Sequence, residues 1–224
     1  MYDLPRARPR LALVLLTALV AQSASADPAA PASQTVDSAA PAATPTQTID
    51  ALHASLLDVM KNAVAFGYPG REQKLRTEIP KYFDVKEMAR KSLGQAQWKL
   101  ASEEAKRRYL ETFERFMVAN YAGRFDGFSG QSFQTLGEVP DPRPGAVIVK
   151  TRLIDPTDKN IDLNYRMRQV GGTWKVVDVF LDGTVSELAV RRSEFVSIVK
   201  RENLDALIVA LDAKIAQLAA SGES

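Results

Sequence analysis

The stretch Ile161-Asp162-Leu163-Asn164-Tyr165-Arg166-Met167-Arg168-Gln169-Val170, then Gly171-Gly172, then Thr173-Trp174-Lys175-Val176-Val177-Asp178-Val179-Phe180-Leu181, reads as a β-hairpin. In its first arm Ile161, Leu163, Tyr165 and Met167 alternate with Asp162, Asn164, Arg166 and Arg168, the period-2 signature of a strand with one buried face. The glycine pair is a two-residue hairpin turn, so the second arm folds back antiparallel. In that arm the same alternation places Trp174, Val176, Asp178 and Phe180 on one face. Upstream, Ser132–Val139 and Ala146–Ile154 have the same strand character. They are linked by Pro140-Asp141-Pro142-Arg143-Pro144-Gly145, and a second short link, Pro156–Asn160, leads into Ile161. Short links between successive strands predict an antiparallel meander of four strands.

On both sides of this meander the period changes to that of helices. Leu52, Leu56, Met60, Ala63 and Val64 recur at helical spacing behind Asp50, a candidate N-cap, and Tyr68-Pro69-Gly70 is expected to break that helix. A short helix over 71–81 follows, and a third is capped by Asp84 and ends at Gly94. Ser102 caps the strongest helix, which carries Tyr109, Phe113, Phe116, Met117, Tyr121 and Phe125 as an aromatic stripe. After the strands, 185–200 and 204–218 read as two further helices. Helices, four strands, then helices predict an α+β domain, with helices packed on one face of a curved, mainly antiparallel four-stranded sheet.

The chain has 224 residues with 25% charged and 46% hydrophobic side chains, values ordinary for a globular protein with a real core. It has no cysteine, which excludes disulfides, thiolate nucleophiles and Cys-based zinc sites, and a single histidine, His53. The N-terminus reads as an export signal. Arg6, Arg8 and Arg10 precede the apolar run Leu11–Val20, and Ala24-Ser25-Ala26 supplies the small-x-small cleavage pattern. That run is about 15 Å long as a helix, roughly half a bilayer core, which favours a cleaved signal over a retained anchor. Removing residues 1–26 takes three arginines and Asp3 from 29 basic and 27 acidic side chains, leaving 26 of each. A neutral mature chain argues against nucleic acid as a partner. Export without disulfides fits a bacterial periplasm. Residues 27–48, rich in Pro, Ala, Ser and Thr, are expected to form a disordered linker ahead of a folded domain over 49–220.

Catalytic motifs are scarce. The sequence contains no G-x-S-x-G elbow, no G-x-G-x-x-G and no phosphate-binding loop. His53, among Leu52, Leu56 and Leu57, reads as a packed histidine without a chemical role. Asp178, in an apolar row, needs a hydrogen-bonded partner or a cavity edge, and Arg166 or Arg168 is the expected partner. The aromatic stripe facing a curved sheet that adds Phe133, Tyr165, Trp174 and Phe180 either closes into solid core or leaves an apolar cavity. Periodicity leaves both readings open.

A set of phrases in fixed order extends the reading. Lys81-Tyr82-Phe83-Asp84-Val85-Lys86-Glu87-Met88-Ala89-Arg90, then Leu93-Gly94 and Trp98, resembles the opening of the MlaC-type periplasmic lipid carriers, the toluene-tolerance family. The helix through Phe113, Phe116 and Tyr121, then Asn164–Arg168, Gly172–Val179 and Leu181–Phe195, follow in that family's order, over about residues 50–218. The wording of Asp182–Phe195 is similar to the hopanoid-biosynthesis-associated branch, HpnM, with Arg191 and Glu194 where phospholipid-type members tend to have Tyr and Gln. The resemblance implies an NTF2-like/MlaC-like fold and a non-enzymatic shuttle without cofactor or metal. It would carry hopanoid or phospholipid between an inner-membrane lipid transporter and outer-membrane acceptor proteins, with the head group near the pocket mouth. Pattern and resemblance together nominate Phe83, Met88, Leu93, Trp98, Phe113, Phe116, Met117, Tyr121, Tyr165, Trp174, Val176 and Phe180 as lipid-contacting residues. Two rival classes remain: an enzyme with Asp178 as base, and an adaptor protein with a filled core.

Overall fold

The computed structural model describes residues 43–222; the export-signal and most of the linker expectations fall on residues outside that range. The described residues begin with two long helices. Helix α1 (Pro45–Lys61) starts earlier than Asp50: Thr44 is the N-cap, accepting from the Gln47 backbone N–H while the Gln47 side chain accepts from the Thr44 N–H. With Pro45 at the first helical position, this is a complete capping box, and it draws the last residues of the expected linker into the folded domain. Helix α2 (Ala63–Tyr82) follows at once, so the first helix ends at Asn62 rather than at Tyr68-Pro69-Gly70, which lie within α2; the kink there falls at Gly67, whose φ of 56° no ordinary side chain adopts readily. Helices α3 (Val85–Leu93) and α5 (Glu103–Arg124) carry the predicted caps: Asp84 accepts from the Glu87 N–H and Ser102 from the Ala105 N–H. A short α4 (Gln95–Leu100) lies between them.

The strands β1 (Ser132–Pro140), β2 (Ala146–Ile154), β3 (Ile161–Val170) and β4 (Thr173–Leu181) form the predicted antiparallel meander. Gly171 and Gly172 both have positive φ, as the tight β3–β4 turn demands. The sheet has five strands, not four. At Asp182-Gly183 the chain reverses, and the two-residue β5 (Val185–Ser186) pairs back onto Phe180 and Leu181 before helix α6 (Glu187–Arg201) begins. Helix α7 (Leu204–Gly222) closes the described chain against α5.

A second correction concerns β4. Arg166 pairs with Asp178, but the next residue, Met167, pairs with Val176, so Val177 is an extra residue in the ladder. This bulge flips the alternation. Val176 and Val179 face the helices together with Tyr165 and Met167, while Asp178 and Phe180 turn to the opposite face. Trp174, Val176, Asp178 and Phe180 therefore do not share a face.

A contiguous apolar core joins the helices to the inner face of the sheet. It includes Ile49, Leu52 and Leu56 of α1, Leu75 and Ile79 of α2, Tyr109, Phe113 and Phe116 of α5, and Val149, Tyr165, Met167 and Val176 of the sheet. The outer face carries charge: Arg152 pairs with Asp162, and Arg166 with both Asp141 and Asp178.

Candidate functional site

Where α5 ends and β2–β4 curve away from it, the core opens. A cavity of about 620 Å³ is walled by Tyr121 of α5 and Phe125 at its C-cap, Leu153 of β2, Ile161, Leu163 and Tyr165 of β3, and Val179 and Leu181 of β4. At ~30 Å³ per water-sized group, it holds roughly twenty such groups, enough for one long acyl chain or the greater part of a fused-ring skeleton. Charged residues stand around it: Arg124, Asp158, Lys159, Asp182 and Glu187. A narrow annex of about 20 Å³, room for no more than a single water, continues between Met88 of α3, Phe113, Phe116 and Met117 of α5, and Leu188 and Arg191 of α6. Tyr121, Arg124, Val179 and Glu187 border both spaces and mark the seam between them.

The polar groups on the inner wall are neutral. Burial pushes the Tyr121 and Tyr165 phenols above their ordinary range, so both remain hydroxyls at neutral pH. The Tyr165 hydroxyl lies 3.1 Å from His53 Nε2, and the imidazole stacks on Phe133 with ring centroids 3.9 Å apart. Burial lowers the His53 pKa to about 4, against a smaller opposing pull from Asp50. At neutral pH the ring is therefore uncharged, a packed histidine as the sequence reading expected. Charge enters at the outer border, through Asp158, Lys159 and Asp182, and at the seam. Arg124 Nη1 donates to Glu187 Oε1 at 2.6 Å, and the Arg191 guanidinium lies over the Phe116 ring, 4.6 Å from its centroid. Burial holds the Arg191 pKa below its ordinary value. Such a site offers an apolar guest a dry wall and a charged border. Asp178, the candidate base, is turned away from it: its carboxylate accepts from Arg166 Nη1, Ser186 Oγ and the Leu188 N–H.

The nominated residues divide accordingly. Tyr121 and Tyr165 line the wide cavity, and Met88, Phe113, Phe116 and Met117 line the annex with Tyr121. Phe83 and Val176 sit one layer behind: they bridge to each other, and Phe83 meets the Tyr121 ring edge-on at 5.4 Å. Trp174 is half-buried against the core. The remaining three lie elsewhere. Leu93 borders a separate surface groove with Gln97 and Leu100, Trp98 lies beneath the Lys106 ammonium, and Phe180 lies beneath the Arg166 guanidinium on the outer sheet face. The apolar residues of the wide cavity absent from the nominated set are Phe125, Leu153, Ile161, Leu163, Val179 and Leu181. The alternation in β2 and β3 already places Leu153 and Leu163 on the inner face; Val179 is hidden in sequence by the bulge.

Among the described residues, no group of three or more His, Cys, Asp and Glu side chains is arranged to hold a metal ion, and no helix is long and apolar enough to cross a membrane. Comparison with known proteins adds the following. The model of the family described as MlaC protein matches residues 50–213. Among solved structures, the chain is similar to the phospholipid-binding protein from Ralstonia solanacearum, determined in complex with a phospholipid. The identity is 20% and the TM-score 0.66, over 78% of this chain and 96% of that one, a likeness of fold. No curated protein sequence matches this chain.

Proposed function

The chain belongs to the MlaC family, and from that premise we propose that it is a periplasmic lipid carrier that moves its cargo between inner and outer membranes without transforming it. The observation that carries the proposal is the apolar cavity of about 620 Å³ between α5 and the inner face of the sheet. An adaptor with a filled core has no use for such a space. A carrier requires one, because each methylene exposed to water costs about 0.8 kcal/mol, so ~15 of them cost on the order of 12 kcal/mol. Residues 1–26 would serve as the export signal, and the Pro/Ala/Ser/Thr-rich segment after it as a spacer ahead of α1. The mature chain's neutral charge suits a protein that leaves a membrane surface as readily as it meets one.

The cargo is a hopanoid or a phospholipid, received from an inner-membrane lipid transporter and delivered to an outer-membrane acceptor, or the reverse. The phospholipid complex of the Ralstonia solanacearum protein, which shares the fold, supports the phospholipid reading. The wording of Asp182–Phe195, similar to HpnM, supports the hopanoid one. Mass spectrometry of lipids extracted from the protein purified from a hopanoid-producing host tests both. A lipid near one per chain is the expected result, and its mass identifies the class. Protein that emerges free of lipid under native conditions overturns the carrier reading.

A further inference from the structure

Where α6 begins on the outer face of the sheet, the fold gathers cations without supplying carboxylates for them. A surface pocket of about 380 Å³ is lined there by Lys91 of α3, Arg143 of the β1–β2 link, Asp178 of β4, and Leu188 and Arg192 of α6. None of its lining residues belongs to the wide chamber. At ~30 Å³ per water-sized group it has room for about a dozen such groups. The neighbouring carboxylates are already taken. Asp178 accepts from Arg166 Nη1, Ser186 Oγ and the Leu188 N–H, and Asp141 accepts from Arg166 Nε and the Arg143 N–H. Glu87 receives both Nε and Nη2 of Arg90, at 2.7 and 2.8 Å, so Lys91 at 3.3 Å holds only a share of it. The Arg143 and Arg192 guanidinium groups make no hydrogen bond or ion pair among the described residues; Arg143 reaches Asp141 only through its field. Arg192 is placed by close packing: its Nε lies over Gly94, the C-cap of α3, where a Cβ would come within 3.5 Å. The backbone has nothing left for an anion, since the Leu188 N–H goes to Asp178 and the Ala189 N–H to Ser186 Oγ. Recognition therefore falls to the three cationic side chains. Like charges lining one pocket repel, and an anionic occupant relieves that repulsion. A guanidinium with free in-plane donors takes a carboxylate in a two-pronged grip. The shape selects among anionic occupants. Asp178 and Leu188, 3% and 8% exposed, lie beneath the exposed arginines, so the pocket is concave. A side chain projecting from a peptide fills such a hollow, whereas a plane of lipid head groups meets only its rim. With 26 basic and 26 acidic side chains beyond residue 26, the chain also has no net charge to drive it onto an anionic membrane.

We infer that this pocket docks an acidic segment of a partner protein, whose carboxylates engage the forks of Arg143 and Arg192 and the Lys91 ammonium. The assignment stands whatever the chamber carries. It also leaves the residues of the wide chamber free to hold a guest while the partner is bound.

The test titrates a tri-glutamate peptide, with tri-glutamine as its uncharged control, into the isotope-labelled protein and follows the backbone amides by NMR. The amides of Lys91, Arg143, Ala189 and Arg192 are expected to shift saturably with tri-glutamate and to stay in place with tri-glutamine. Arg143→Gln and Arg192→Gln, both at exposed positions that leave the fold intact, should each weaken the binding about tenfold, the worth of a charge-assisted hydrogen bond. Arg107→Gln removes an equally exposed charge from α5, outside the pocket, and should leave the affinity unchanged. Weakening by Arg107→Gln as large as that by Arg192→Gln would reduce the attraction to diffuse charge and overturn the pocket. Absence of saturable shifts with tri-glutamate overturns it as well. Inorganic phosphate that moves the same amides at the same concentration assigns the pocket to a free anion, and overturns the docking of a protein segment. Phosphatidylglycerol vesicles that retain the wild type but not Arg192→Gln, with tri-glutamate left unbound, assign the face to a membrane surface and overturn the inference in favour of that partner.

Discussion

Arg166 and Asp178 meet on the outer face of the sheet, Nη1 to Oδ2 at 3.0 Å, because the extra residue Val177 turns the carboxylate away from the cavity. The same guanidinium donates through Nε to Asp141 at 2.6 Å. One arginine thereby holds two carboxylates whose side chains are 0% and 4% exposed. Asp178 also accepts from Ser186 Oγ and the Leu188 N–H. It ties β4 to the start of α6, the helix that brings Glu187 and Arg191 to the cavity. The bulge thus removes a carboxylate from an apolar space and uses it to position the helix that walls that space.

Arg166→Met should therefore be among the most damaging single changes outside the core. It strands two buried carboxylates, and breaking a buried pair by removing one partner costs about 3–5 kcal/mol. Burial alone pushes the Asp141 carboxyl up, and Arg166 together with the Arg143 backbone N–H holds it below the ordinary range. Urea unfolding at neutral pH measures the loss. A change below about 1 kcal/mol would mean that water takes over the arginine's role.

Arg71 offers a second stability test, of a different kind. Its buried guanidinium donates to the carbonyl oxygens of Ala122, Ala63 and Gly222, at 3.0, 3.1 and 3.4 Å, joining α2, the end of α5 and the end of α7. Arg71→Met leaves those carbonyls without the donor and should cost about 3 kcal/mol. Hydrogen exchange should show the C-terminal turns of α7 losing protection before the sheet does. Uniform loss of protection across the domain would contradict the assignment of Arg71 to that junction.

These examples show why parts of the fold were legible in the sequence and parts were not. The N-caps Asp84 and Ser102 are local devices, and the alternation Ile161, Leu163, Tyr165, Met167 needs no partner to be read. The capping box Thr44–Gln47 is equally local, yet it lies at the end of a low-complexity stretch whose composition masks it. Strand β5, two residues long, is too short for any period; its signal is the Asp182-Gly183 turn before it. The bulge at Val177 is illegible, because Val-Val-Asp-Val fits either face and only pairing with β3 decides between them. The cavity is a gap between α5 and a curved sheet, and no residue encodes a gap. Half of the nominated residues line one chamber or the other, while Phe180 was lost to the bulge.

His53 should make the protein acid-sensitive. The unfolded chain takes up a proton on this ring near pH 6.5, whereas the folded protein, by burying it, refuses the proton until about pH 4. Proton uptake by the unfolded state alone means that stability falls as pH drops through that window. The contribution is about 3 kcal/mol between pH 7 and pH 4. His53→Gln removes the titration, so its unfolding free energy should decline less steeply than the wild type's over that interval, by about that amount. Parallel declines would show that the ring is already charged, or already exposed, in the folded protein.

The cavity itself can be tested by filling it. Leu163 stands on the inner face of β3, 9% exposed, on the wall of the wide chamber and away from the seam. In a close-packed core a larger side chain costs about 1–3 kcal/mol in strain, but here the added ring has open space to enter. Leu163→Trp should therefore keep its unfolding free energy within about 1 kcal/mol of the wild type while excluding the guest from the volume the indole occupies. Lipid recovered per chain should fall about tenfold, the equivalent of roughly 1.4 kcal/mol of lost affinity. Stability and lipid content distinguish the outcomes. Undiminished lipid on a stable variant would place the cargo outside this chamber. A large loss of stability would mean that the wall closes on itself in solution and that the space between α5 and the sheet is core rather than cavity.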